Sequence, residues 1–161
     1  MKSPVSRFTR LIAGLSTAAT VLAGLAPTAA NASDGKDYTA LGCRSYYTGV
    51  PEPLPDSLGG IFNNQTFDMG YICPVIHDEG GSGIASAVAW ITTYYKGTAV
   101  CTLYSASPLG AYRYQQRNLG TGIGRRAMYF AALGGYTNGV YTLFCNLPSA
   151  GTLHTYTINE G

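Results

Sequence analysis

The stretch Phe67-Asp68-Met69-Gly70-Tyr71-Ile72-Cys73-Pro74-Val75 alternates with a period of two. Phe67, Met69, Tyr71, Cys73 and Val75 fall on one face, and Asp68 and Gly70 on the other. Successive side chains of a strand point to opposite faces, so this pattern predicts a half-buried β-strand, with Pro74 marking its end or an edge. Downstream, Ala99, Cys101 and Leu103 alternate with Val100, Thr102 and Tyr104 in a strand over 98–105, reached from residues 84–95 by a short turn at Lys96-Gly97. Residues 84–95 carry three alanines that favour helix. Val88, Ile91, Thr92, Thr93, Tyr94 and Tyr95 would crowd χ1 in a helix, so they are read as strand.

Working outward, residues 111–116 set Tyr112 and Tyr114 against Arg113 and Gln115, a half-exposed strand. Strands over 126–133, 140–147 and 153–160 follow. Their separators are Gly134-Gly135, the Asn138-Gly139 turn signal and Pro148-Ser149-Ala150-Gly151. Residues 38–43 are a candidate eighth strand. Pro51, Pro53 and Pro55 exclude helix and central strand, which makes 51–56 an extended surface connection. Residues 77–83 and 120–124 are turns by composition. Seven to eight short strands joined by glycine-rich turns predict an all-β fold, an antiparallel β-sandwich of jelly-roll or Greek-key connectivity.

The N-terminus reads differently. Lys2, Arg7 and Arg10 precede an apolar run from Leu11 to Ala26; Pro27 breaks it, and Ala30-Asn31-Ala32 offers the small residues of a signal-peptidase site. Residues 1–32 are therefore expected to be a secretory signal, and 33–161 a single domain with no membrane anchor after cleavage, secreted to the periplasm or medium. The first cysteine is Cys43, so no lipidation site adjoins the cut. Cleavage leaves seven basic residues against eight acidic ones, a formal charge of −1 with the histidines neutral. Such a domain lacks the basic stripe that nucleic-acid binding needs. Arg125-Arg126 is the one basic pair and is expected at a solvated strand end.

Cys43, Cys73, Cys101 and Cys145 are even in number and widely spaced, unlike the close pairs of zinc sites. In an oxidising compartment they form two disulfides. Three connectivities are open to four cysteines. The mid-strand positions of Cys101 and Cys145, with Cys43 in the irregular segment before the first long strand, favour Cys43–Cys73 and Cys101–Cys145.

Cys73-Pro74-Val75, the run 100–105, Tyr141-Thr142-Leu143-Phe144-Cys145-Asn146-Leu147-Pro148 and the closing 155–160 segment together resemble a known group of proteins. It consists of small exported four-cysteine proteins of uncharacterised function from Gram-negative soil bacteria. The similarity spans residues 63–160. Its motifs are strand and cysteine motifs, so it implies a fold and no activity.

The residues offer little chemistry. His77 and His154 are the only histidines, on separate segments and expected to be exposed; 80–84 lacks the spacing of a serine elbow. Asp78-Glu79 supplies too few oxygens for Ca²⁺, and no βαβ unit surrounds the glycine clusters, so neither a metal nor a cofactor is expected. The chain has thirteen tyrosines against one tryptophan and five phenylalanines. Tyr46, Tyr47, Tyr94, Tyr95, Tyr104 and Tyr114 fall near turns or on the wetter faces. Tyrosine combines a stacking surface with a hydroxyl, which suits a glycan or a protein ligand, and Tyr94 and Tyr95 are the candidate ligand-binding pair. Three function classes follow in order: a non-catalytic binding or surface module, a secreted inhibitor or structural protein, and a small hydrolase.

Overall fold

The computed structural model describes residues 35–76 and 83–161. The predicted signal, the 77–82 turn, His77 and the Asp78-Glu79 pair lie outside the described residues. The rest is a two-sheet antiparallel sandwich, as the alternation predicted. Eleven strands occur in the described residues: β1 (Gly35–Thr39), β2 (Arg44–Ser45), β3 (Leu54–Pro55), β4 (Ile61–Phe62), β5 (Met69–Val75), β6 (Ile84–Thr93), β7 (Thr98–Ala106), β8 (Tyr112–Thr121), β9 (Gly124–Phe130), β10 (Val140–Leu147) and β11 (Thr152–Glu160). Eight of them have five residues or more, and β2, β3 and β4 have two each.

One sheet runs β2-β5-β10-β7-β8. The other runs β3-β4-β11-β6-β9, with β1 paired to β11 beside β4. Inward-facing side chains of both sheets meet in one core, including Met69, Tyr71, Ile91, Leu103, Leu143 and Ile158, each at most 1% exposed. Burying a side chain of this size contributes about 1.5–3 kcal/mol, and the alternating pattern puts one at every second position.

Both disulfides join the expected partners, Cys43 to Cys73 and Cys101 to Cys145. Cys101 and Cys145 sit directly opposite each other on β7 and β10. All four sulfurs lie on the inner side of the five-stranded sheet, fully buried.

Several sequence expectations change in detail. Phe67 is half exposed and precedes β5, because the Asn63 amide donates to Phe67 O, Leu147 O and Pro148 O and holds that segment as a loop. The expected strand at 38–43 is instead Gly35–Thr39 followed by a 3-10 turn, Ala40–Gly42, capped by the Thr39 hydroxyl. β8 continues to Thr121, so the turn before β9 is shorter than 120–124. β9 ends at Phe130, and Leu133 rejoins the sheet through a lone bridge to Ile84. Arg126 does not point to solvent. It faces inward and donates to Leu119 O, Gly120 O, Gly122 O and the Thr93 hydroxyl, pinning the β8–β9 turn.

Candidate ligand-binding face

The registers of the five-stranded sheet fix what its outward face presents. Across the strands, Pro74 on β5 lies beside Thr142 on β10, Thr142 beside Tyr104 on β7, and Tyr104 beside Tyr114 on β8. The next row holds Ile72, Phe144, Thr102 and Gln116. Two residues along β8 from Tyr114, Tyr112 stands opposite Ala106.

The three tyrosines form a continuous aromatic surface. The Tyr104 and Tyr114 ring centroids are 6.0 Å apart at 37°, and those of Tyr112 and Tyr114 are 6.3 Å apart at 32°. Tyr112 and Tyr114 are 64% and 59% exposed, so their rings are open to a ligand. With Gln116 they line a shallow depression of about 500 Å³. The Gln116 amide nitrogen donates to the Thr102 hydroxyl at 3.5 Å, which leaves its carbonyl oxygen available as an acceptor. On the far side of Thr142, a second shallow depression of about 510 Å³ is lined by Arg44, Ile72, Pro74, Val140 and Thr142, among others. Phe144, the cross-strand neighbour of Ile72, lies against Gly70, where an added Cβ would come within 2.8 Å of the ring, and meets Tyr46 edge-on at 5.3 Å.

Tyr94 and Tyr95, the pair chosen from sequence, occupy the β6–β7 turn and are 52% and 66% exposed. Tyr104 lies six residues beyond Thr98 along β7, about 20 Å at the rise of a strand. The structure does not bring the turn pair together with the tyrosine row. The row was within reach of sequence reasoning: counting back from the Ser107–Ala111 turn, closed by Ser107 N to Ala111 O, sets Tyr104 opposite Tyr114.

The outer face of the six-stranded sheet holds the other polar constellation. A bulge in β11 between Leu153 and Thr155 leaves His154 without a partner on β6 and turns its ring outward of the core. Contrary to the sequence expectation His154 is buried, at 4% exposure, because the β3–β4 hairpin closes over it. Gly60 of that hairpin packs on the bulge so closely that a Cβ would lie 2.5 Å from Leu153 O. His154 Nε2 is 2.7 Å from Thr92 Oγ1, and Nδ1 is 3.2 Å from Asp56 Oδ2, a contact out of line with the hydrogen-bond direction. Burial and the nearby Arg125 lower the His154 pKa from its ordinary 6.5 against the opposing pull of Asp56, so the ring is neutral at pH 7. Nε2 then accepts from the Thr92 hydroxyl, and the Nδ1 proton faces Asp56. The order resembles a hydroxyl–histidine–carboxylate relay, but Thr92 is only 8% exposed and the hairpin covers it. Beside it Arg125 stacks over Trp90 at 5.2 Å, occupying a ring face that a ligand would need.

No protein-family model matches the chain, and no curated protein sequence matches it. Solved structures do. A GH26–CBM35 β-(1,4)-mannanase of Podospora anserina matches 80% of this chain and 28% of its own length, with 10% identity and a TM-score of 0.50. This chain therefore spans well under a third of that enzyme. Module CsCBM6-3 of Clostridium stercorarium, determined with cellobiose, matches 78% of this chain and 94% of its own, at 13% identity and TM-score 0.49. A CBM35 of Paenibacillus barcinonensis matches 76% and 97%, at 16% identity and TM-score 0.44. At 10% identity the likeness to the mannanase is one of fold alone.

Proposed function

We propose that the domain is a secreted, non-catalytic glycan-binding module whose binding surface is the outward face of the five-stranded sheet. The observation that carries this reading is the Tyr104–Tyr114–Tyr112 row on a face whose remaining outward groups are hydroxyls, amides, aliphatic side chains and Phe144, with Arg44 at its edge. Sugar rings present apolar C–H faces rimmed by hydroxyls. Tyrosine rings complement the first, and Gln116, Thr142 and the phenolic hydroxyls complement the second. Two buried staples on the inner side of the same sheet hold the row in place before any ligand arrives, which lowers the ordering cost of binding. The sandwich shared with a β-(1,4)-mannanase supports the reading only as an analogy of fold.

Export rests on the 1–32 signal, and the two disulfides suit an oxidising compartment. Hydrolysis is the weaker reading. The Thr92–His154–Asp56 order recommends it, but the covered hydroxyl offers no approach for a substrate.

The test is capture of the mature domain on insoluble cellulose, mannan and xylan. Wild type is retained on at least one of them, and Tyr104→Ala with Tyr114→Ala reduces retention about tenfold while the unfolding midpoint holds. Equal retention of both proteins would falsify the assignment of the face.

A further inference from the structure

The two depressions abut. Tyr104, which lines the first, is the direct cross-strand neighbour of Thr142, which lines the second. They are halves of one path that crosses the sheet from β8 through β7 and β10 to β5, ending at Arg44 on β2 beside Ile72. Strands lie about 4.8 Å apart, so four spacings give a path of roughly 19 Å, about three or four pyranose rings laid end to end.

Charge narrows the occupant. The outward positions of β5, β10, β7 and β8 carry no Lys, Arg, Asp or Glu. The arginines of β8 point the other way, Arg113 over the Tyr136 ring at 4.8 Å and Arg117 donating to Gln116 O and Gln115 Oε1. Arg44 is the one cation, and it stands at the far end. A polyanionic chain would find a single counter-charge, at the end of the path. A protein epitope of ordinary polarity would leave its charged rim unanswered there.

Resting on the glycan reading above, we infer that the ligand is an uncharged polysaccharide bound by an internal segment. The segment crosses the strands with its first units stacked on Tyr114 and Tyr104 and later ones passing Thr142 toward Ile72 and Arg44. A chain end held alone would use one depression and leave the other empty. An internal segment uses both.

The experiment is calorimetry of the mature domain with cello-, manno- and xylo-oligosaccharide ladders, from disaccharide to hexasaccharide, at low and high NaCl. Affinity for the recognised ladder rises about tenfold or more up to the tetrasaccharide and then levels, with little dependence on salt. Tyr114→Ala weakens every member of that ladder. Ile72→Ser and Arg44→Ser, two independent far-end variants, weaken the hexasaccharide several-fold more than the disaccharide. Binding that is flat with length, or far-end losses equal for short and long ligands, overturns the path while leaving the tyrosine site standing. Steep loss of affinity with salt overturns the uncharged ligand. Failure of every ladder and of the parent polysaccharides to bind overturns the glycan reading, and this inference with it.

Discussion

The outer faces of the two sheets solve opposite problems. On the six-stranded sheet, Tyr129 is exposed, but the histidine, the tryptophan and their polar neighbours are used up internally. His154 is bracketed by Thr92 and Asp56 under the β3–β4 hairpin, and Arg125 covers Trp90. The five-stranded sheet leaves the Tyr112 and Tyr114 rings exposed and puts its covalent reinforcement on the inner side, where Cys101–Cys145 ties β7 to β10 three residues along from the Tyr104–Thr142 pair. The difference teaches that His154 and Trp90, side chains able to act on a ligand or stack against it, are here consumed by packing. Tyr112 and Tyr114, by contrast, keep their rings exposed to solvent.

The largest effect that sharpens this contrast concerns the staple. Replacing Cys101 and Cys145 together by Ala removes a loop constraint spanning 44 residues, and in the chain-entropy model the cost is about 4 kcal/mol. Hydrogen exchange should then rise more on β7 and β10 than on β6 and β11, read by mass spectrometry of peptides from each sheet. Uniform loosening of both sheets would show that the reinforcement is not specific to the sheet that carries the tyrosine row.

Next comes Gly60→Ala, expected to cost about 2–3 kcal/mol in urea unfolding. The added methyl meets Leu153 O at 2.5 Å and the His154 Cα at 2.8 Å, backbone atoms that cannot swing aside. A neutral substitution would mean that the hairpin is not seated on the bulge, and that Thr92 and His154 are more accessible than described.

A smaller effect follows from titration. The folded pKa of His154 lies below its ordinary 6.5, so the unfolded chain takes up the proton first. The stability tied to neutral His154 is therefore complete above about 6.5 and drains away as pH falls from there toward the folded value. His154→Gln should cost about 1–2 kcal/mol at pH 7 and flatten that acid-side slope. An unchanged slope in urea midpoints measured from neutral to mildly acid pH would assign it to other groups.

The sequence exposes these regions unequally. β5, β6, β7, β10 and β11 announce themselves because a strand buried on one face writes its period of two into adjacent residues, and Cys101 and Cys145 belong to that pattern. β2, β3 and β4 do not, since two residues carry no period and pair only because distant strands offer them an edge. The burial of His154 depends on a bulge and on a hairpin nearly a hundred residues away, neither of which leaves a local mark. The tyrosine row lies between these cases. Tyr112 and Tyr114 show their shared face directly, but Tyr104 joins them only once the hairpin register is counted. An exposed adjacent pair such as Tyr94-Tyr95 is more conspicuous in a linear reading.

That rivalry sets the most direct test, a backbone-amide NMR titration of the mature domain with whichever oligosaccharide the ladders identify. The account predicts shift changes concentrated at Tyr104, Tyr114, Gln116 and Thr142, with Trp90, Arg125 and His154 silent. Shifts confined to the Tyr94–Tyr95 turn, or spread over the six-stranded sheet, would contradict it.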